Sequence, residues 1–365
     1  MKYILLALCC FHFLNTNAQN GYMLVGTYES PLNQGIHVYA YDAKKGSVTE
    51  RSHYKISNPS FLCVSPDHKF VFAVEEDASS KGKTGNVCSF SFDREKGELK
   101  LLDRKPTGGD HPCHVECDKT GKWLFASNYS SGSLSIFPIK ENGVLGDAVI
   151  IQHYGKGKDT VRQKSPHVHG AFVTADNKKV VVTDLGLDRI YIYPFDAITG
   201  RLGIPDSIQT APVSGPRSVT FDQKGKLAYV IEELSGSVEL IDLEGSMPHS
   251  IQVIKTHAET DQRFPGSADI KRAGFRLYAS NRGEINNLVI FRIDPFDGRL
   301  QVIDSISAKG KAPRNFSIDP TGKYLFCENQ NSDEIVQFRI KGNGRLKDTG
   351  RRIRLGKPVC IQWIP

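Results

Sequence analysis

The residue types that could do chemistry in this chain gather at the flanks of one kind of segment. In PRSVTFDQKGKLAYVIEE, from Pro216 to Glu233, an arginine opens an apolar hairpin and two glutamates close it. Arginine presents parallel N–H donors that match a carboxylate or phosphate, and it can steady a developing oxyanion. Glutamate can brace such an arginine or take a proton itself. In SPHVHG the same flank carries His167 and, two residues on, His169; imidazole exchanges protons near neutral pH. An acid–base group beside guanidiniums is equipment for moving a proton next to an anionic group or a developing oxyanion. One charged hairpin end alone is an ordinary solvated or ion-paired end, so the reading rests on recurrence.

The pattern recurs. Copies begin at Pro59 (PSFLCVSPDHKFVFAVEE), Pro112 (PCHVECDKTGKWLFASNY), Pro166 (PHVHGAFVTADNKKVVVTDL), Pro216, Pro265 (PGSADIKRAGFRLYASNR) and Pro313 (PRNFSIDPTGKYLFCENQ), at intervals of 53, 54, 50, 49 and 48 residues. Most are followed by a polar loop and a third apolar segment, such as SSGSLSIFPI or SGSVELIDL, and then a weaker fourth. Four short strands in about fifty residues describe a propeller blade. The termini supply one more. PVCIQWIP from Pro358 reads as a first strand with nothing behind it, whereas GYMLVGTYES and GIHVYAYD read as a second and third strand lacking a first. Joining them closes the ring and removes an exposed sheet edge. The expected fold is therefore all-β: a seven-bladed β-propeller of four-stranded blades, closed by a blade shared between the N- and C-termini, in one domain over residues 19–365.

The two strands of a hairpin are antiparallel, so the residues before the first and after the second return to one end of the sheet. With first strands innermost, that end is the mouth of the central channel. Inner-strand starts contribute His114, His167, Arg217 and Arg314; second-strand ends contribute Glu76, Tyr129, Asp184, Glu233, Arg282 and Gln330. His167 is the expected base, and Glu233 either orients it, replaces it or pairs with Arg217. Packing between blades is the plainer role for His169 and His114. Arg217, Arg282 and Arg314 converging on one mouth favour an anionic ligand. The DLGLD segment, Asp184 to Asp188, reads as a turn rather than a cation site. Glycine-rich pieces are hairpin turns, with no helix behind them to make a phosphate loop. No cofactor or metal is expected.

With the repeats aligned, the chain resembles the lactonase family of seven-bladed propellers, the 6-phosphogluconolactonases and relatives that cyclise carboxymuconate. GTYES, SPHVHG, TDLGLDRIYIY, SGPRSVTF, SNRGEINNLVIF and APRNFSIDPTGKYLFCENQ carry the resemblance over nearly the whole chain after residue 19. It implies that His167, Arg217, Glu233 and Arg282 form the catalytic cluster, with Arg314, His114, His169, Tyr129, Glu76, Asp184 and Gln330 as candidate substrate contacts. Two positions depart from the family pattern: Ser218 and Glu284 stand where histidine is usual. WD40 repeats are excluded, since the WD dipeptide is absent and there are two tryptophans.

The remaining features bound the setting. Lys2 followed by YILLALCCFHFL and TNAQ has the form of a signal peptide over residues 1–18, with Cys9 a poor match to a lipid anchor. No later run reaches the roughly 20 apolar residues of a membrane-spanning helix. Six cysteines follow the leader, and burial as free thiols competes with disulfide pairing. The net charge of +7 is spread along the chain rather than gathered in a stripe, which argues against nucleic acid. The leading expectation is an exported, periplasmic or extracellular hydrolase of a small anionic or sugar-derived lactone. Export weighs toward an unphosphorylated or carboxylated lactone, because 6-phosphogluconolactone is a cytosolic intermediate. A carboxymuconate-type cyclase and a non-catalytic propeller that binds protein or glycan are the alternatives. The sequence sets no oligomeric state.

Overall fold

A computed structural model of the chain describes residues 21–82, 84–244 and 247–365. The expected signal peptide at 1–18 lies outside the described residues. Seven antiparallel sheets stand in a ring, each with its inner strand followed outward in sequence order. Blade 4 is representative: Pro216–Phe221 is innermost, then Leu227–Glu232, Ser237–Asp242 and His249–Lys255. In blade 3 the outer position is divided between Arg201–Leu202 and Asp206–Gln209, both paired with Arg189–Asp196. The closing blade joins Pro358–Ile364 to Gly21–Thr27, Ile36–Asp42 and Ser47–Tyr54, so both ends of the chain meet in one sheet.

Local chemistry sets the hairpins. In DKTGKW, DQKGKL and DPTGKY an aspartate follows the inner strand and its carboxylate accepts the amides that lead into the next. Asp222 Oδ1 takes Lys226 N at 2.6 Å and Leu227 N at 2.9 Å, and Asp118 and Asp319 do the same in blades 2 and 6. The glycine of each turn sits at φ near 70°, which an L side chain adopts only with strain. Between blades the apolar faces interlock: Tyr229 and Ile231 of blade 4 pack on Ile270, Leu277 and Phe291 of blade 5. All six described cysteines are buried free thiols, with Cys63 and Cys117 touching across blades 1 and 2 at 3.5 Å.

One irregularity of the sheets matters for function. In blades 2, 3, 4 and 6 the inner strand bulges near its start, skipping Cys113, His169, Arg217 and Arg314 out of the pairing register. A bulge re-aims the unpaired side chain. Here the re-aimed residues line the central channel.

Candidate active site at the channel mouth

Seven equivalent positions form the upper ring of the channel. In every blade the residue just after the second strand donates its amide to a carbonyl ahead of the inner strand, directly before it except in blade 1. The donors are Tyr28, Glu76, Tyr129, Leu185, Glu233, Arg282 and Gln330; their acceptors are Lys357, Asn58, His111, His167, Gly215, Gly266 and Ala312. Five of the expected second-strand residues therefore share one ring. Asp184 does not belong to it. The blade 3 copy from Pro166 is two residues longer than its fellows, and Leu185 takes the ring position. A one-residue shift turns a strand side chain to the other face. Asp184 is fully buried inside the blade, accepting His153 Nδ1 at 2.7 Å and the His167 amide at 2.8 Å. Because of the two extra residues, His169 rather than His167 matches Arg217, and His167 lies two residues before the bulge, at the position that Gly215 takes in blade 4.

Glu233 is the electrostatic centre. Its Oε1 accepts Arg162 Nη2 at 2.6 Å, and its Oε2 accepts Arg217 Nε at 3.0 Å and Arg282 Nη2 at 2.7 Å. Burial alone would raise its pKa, but the Arg282, Arg217 and Arg162 charges outweigh that and hold it at about 2. Arg217 is pulled down to about 10, by burial first and then by Arg282 and Arg314; it remains a cation at neutral pH. Across the mouth, Glu76 Oε2 accepts the Tyr28 hydroxyl at 2.7 Å, and Arg314 lies 4.0 Å from the same oxygen with its guanidinium 5.1 Å from the Tyr28 ring centroid. Four guanidiniums thus face two carboxylates.

His167 stands at this mouth on a fixed ring. Its Nδ1 lies 2.9 Å from the Tyr129 carbonyl, and its imidazole stacks on the Tyr129 ring at 4.4 Å and 11°. A carbonyl oxygen only accepts, so Nδ1 carries the proton and neutral His167 keeps its lone pair on Nε2. Gly186 leaves room for this segment; a Cβ there would meet Ser165 O and the His167 amide. His169 and His114 are buried deeper in the channel, below the ring. His169 is held well below its ordinary pKa by burial and then by Arg217 and Arg314, and His114 at about 3 by burial, Lys271 and Arg217. His114 lies between the rings of Phe61 and Phe172, a packed position. Beneath Arg217 the channel encloses about 20 Å³, lined by Ser60, His169, Ser218 and Asp269 among others. That volume suits one water molecule. Ser218 donates to Asp269 Oδ1 at 3.1 Å, and Glu284 closes a loop by accepting the Phe264 amide.

Arg162 and Tyr28 escaped the repeat alignment. Arg162 lies in the irregular segment before the blade 3 inner strand, where Asp159 Oδ1 accepts the Val161 and Arg162 amides at 2.8 and 2.9 Å. Buried Gln163 anchors the segment by donating to Leu185 O at 2.8 Å and Asp188 Oδ1 at 2.6 Å. The available signal was DTVRQ, an aspartate placed to cap the amides of the valine and arginine that follow it. Tyr28 was visible in GTYES, which falls at the ring position once the two termini are joined.

The Glu233 cluster makes stability pH-dependent in a defined direction. A carboxyl whose folded pKa of about 2 lies below its ordinary 4.5 contributes fully above about pH 4.5, and the contribution is lost as pH falls toward 2. Between pH 2 and 5 the wild type should gain roughly 3 kcal/mol more than Glu233→Gln. Urea midpoints measured across that range check this; parallel curves would contradict it.

The model for the family described as the seven-bladed β-propeller lactonases matches residues 22–363. The chain belongs to that lactonase family. Among lactonase-family relatives, the 6-phosphogluconolactonase of Bacillus subtilis (strain 168) is 31% identical over 347 residues, covering 93% of this chain and 97% of that protein. The 6-phosphogluconolactonase of Formosa agariphila is 35% identical over 347 residues, with 93% and 96% coverage. The solved periplasmic gluconolactonase of Pseudomonas aeruginosa superposes with a TM-score of 0.89 at 30% identity, covering 95% of this chain and 99% of that one.

Proposed function

We propose that this lactonase-family chain opens a sugar-derived lactone carrying an anionic group at the channel mouth, with His167 as the base. The lactone-hydrolase class comes with the family and is supported by the relatives named 6-phosphogluconolactonase. The observation that carries the finer reading is the commitment of His167 Nδ1 to the Tyr129 carbonyl, which reserves Nε2 for a proton from water. Water loses that proton as its oxygen bonds the lactone carbonyl carbon. A guanidinium holds the oxyanion, the ring C–O bond then breaks, and the imidazolium returns its proton to the departing alkoxide. Glu233 serves as a brace: a carboxyl held near pKa 2 is a weak proton acceptor at neutral pH. It fixes Arg162, Arg217 and Arg282 while leaving most of their donors for substrate.

The excess of guanidiniums over carboxylates supports an anionic substrate. Arg314 and Arg282 have the most uncommitted donors, so Arg314→Ala and Arg282→Ala should each raise KM about tenfold to a hundredfold with kcat little changed, as expected when uniform binding is lost. Steady-state kinetics on an anionic lactone test this; an unchanged KM in both variants would move the anion site elsewhere. We also place the reaction outside the cytoplasm, on the leader-like residues 1–18 and the likeness to a periplasmic gluconolactonase. Native protein recovered from the cytosol with Met1 intact would overturn that placement.

A further inference from the structure

A second cleft lies on the same face of the ring, on the far side of the loop that delivers Arg162. It measures about 580 Å³ and runs between residues 154–158 and the start of strand Arg189–Asp196. Its walls are aromatic and its lips are basic. Tyr154 is 82% exposed. It is held there by an ordered turn. Gly155 has φ of 124°, Gly157 N donates to Gln163 O at 2.9 Å, and a Cβ on Gly157 would lie 2.6 Å from Gln163 Oε1. Facing it, Tyr191 is backed by the His153 ring at 4.3 Å and has the Arg189 guanidinium 6.0 Å from its centroid.

The charges of the cleft are uncompensated. Among the described residues, Lys156 and Lys158 make no ion pair. Arg189 spends Nε and Nη2 on Gln209 Oε1, a neutral partner, at 3.1 and 2.7 Å. The one acid lining the cleft, Asp188, is buried, and its carboxylate is consumed by Gln163 Nε2 and the amides of Val213 and Gly215, while Asp159, next to Lys158, turns Oδ1 to the Val161 and Arg162 amides. Three cations lining one cleft, none of them in an ion pair among the described residues, call for an anion. Two aromatic walls call for a flat ligand with an apolar face, which a pyranose ring presents through its C–H bonds.

We propose that this cleft binds an acidic carbohydrate, a uronate-type saccharide, at a site separate from the channel mouth. Its tie to the mouth is structural: Gln163, which closes the floor through Asp188, adjoins Arg162. The cleft residues Tyr154, Lys156 and Lys158 take no part in the Glu233 cluster.

Calorimetric titration of the full-length mature protein tests the proposal with a galacturonate trimer, maltotriose and inorganic phosphate as probes. The acidic trimer should bind, and Tyr154→Ala and the Lys156→Ala/Lys158→Ala pair should each weaken it about tenfold or more. Lactone turnover and melting temperature of these surface variants should match the wild type, which separates loss of this site from failure of the lactonase reading. Absence of trimer binding would overturn the proposal. Equal binding of maltotriose would remove the anionic requirement, equal binding of phosphate would reduce the cleft to a bare anion patch, and trimer binding unaffected by the variants would place the ligand elsewhere; each contradicts the proposal.

Discussion

Removing residues 357–365 is expected to unfold the whole ring rather than fray one end. The lost strand Pro358–Ile364 is innermost in its blade and pairs with Gly21–Thr27 along its length. Val359, Cys360, Ile361 and Ile364 are buried, Val359 at the central channel and the other three in the contacts between the closing blade and its neighbours. At about 1.5–3 kcal/mol for each buried apolar side chain, the deletion removes roughly 6–12 kcal/mol. That is comparable to the whole stability of a typical domain, about 5–15 kcal/mol. It also takes away the Lys357 carbonyl that holds the Tyr28 amide in the upper ring. Circular dichroism of the truncated protein should show no cooperative native transition, and a peptide of residues 357–365 added in trans should restore part of it. A truncated protein melting within a few degrees of the intact one would contradict the shared blade.

His167→Asn is expected to lower kcat by about 10² to 10⁴ with KM within a few-fold of wild type, the usual cost of deleting a positioned base. Asparagine keeps a donor for the Tyr129 carbonyl, so the variant separates proton transfer from local structure. Glu233→Gln should cost far less in kcat, since Glu233 holds arginines rather than protons. Losses of equal size in the two variants would mean that Glu233 and His167 act as one catalytic unit. Wild-type kcat in His167→Asn would remove the histidine from the chemistry altogether.

The ring was legible because six hairpins repeat one plan, a proline-led apolar strand, a polar turn and a second apolar strand, every 48 to 54 residues. The shared closing blade was legible because the terminal segments lacked complementary pieces. Register within a blade was harder. In blade 3, alignment by Pro166 misplaced both flanks, because two extra residues separate the proline from the bulge that His169 occupies. Asp184 looked like a mouth residue, although it lies one position before the ring residue Leu185, and its side chain faces the interior and binds His153. Arg162 was invisible to repeat logic for a different reason: no other blade contributes a residue from that segment to the mouth cluster. Its position depends on the Asp159 cap and on Gln163 reaching Asp188, contacts between residues up to 25 positions apart.

The most direct test of the central claim is the initial rate of ring opening by the purified protein on matched lactones, followed by pH-stat with spontaneous hydrolysis subtracted. Glucono-δ-lactone, its 6-phosphate and a neutral γ-lactone of similar size form the panel. Acceleration above background on the sugar lactones, with the lowest KM for the anionic one, is the result predicted from four guanidiniums facing two carboxylates beside His167. No acceleration on any member of the panel, at enzyme concentrations where spontaneous opening is resolved, would contradict it.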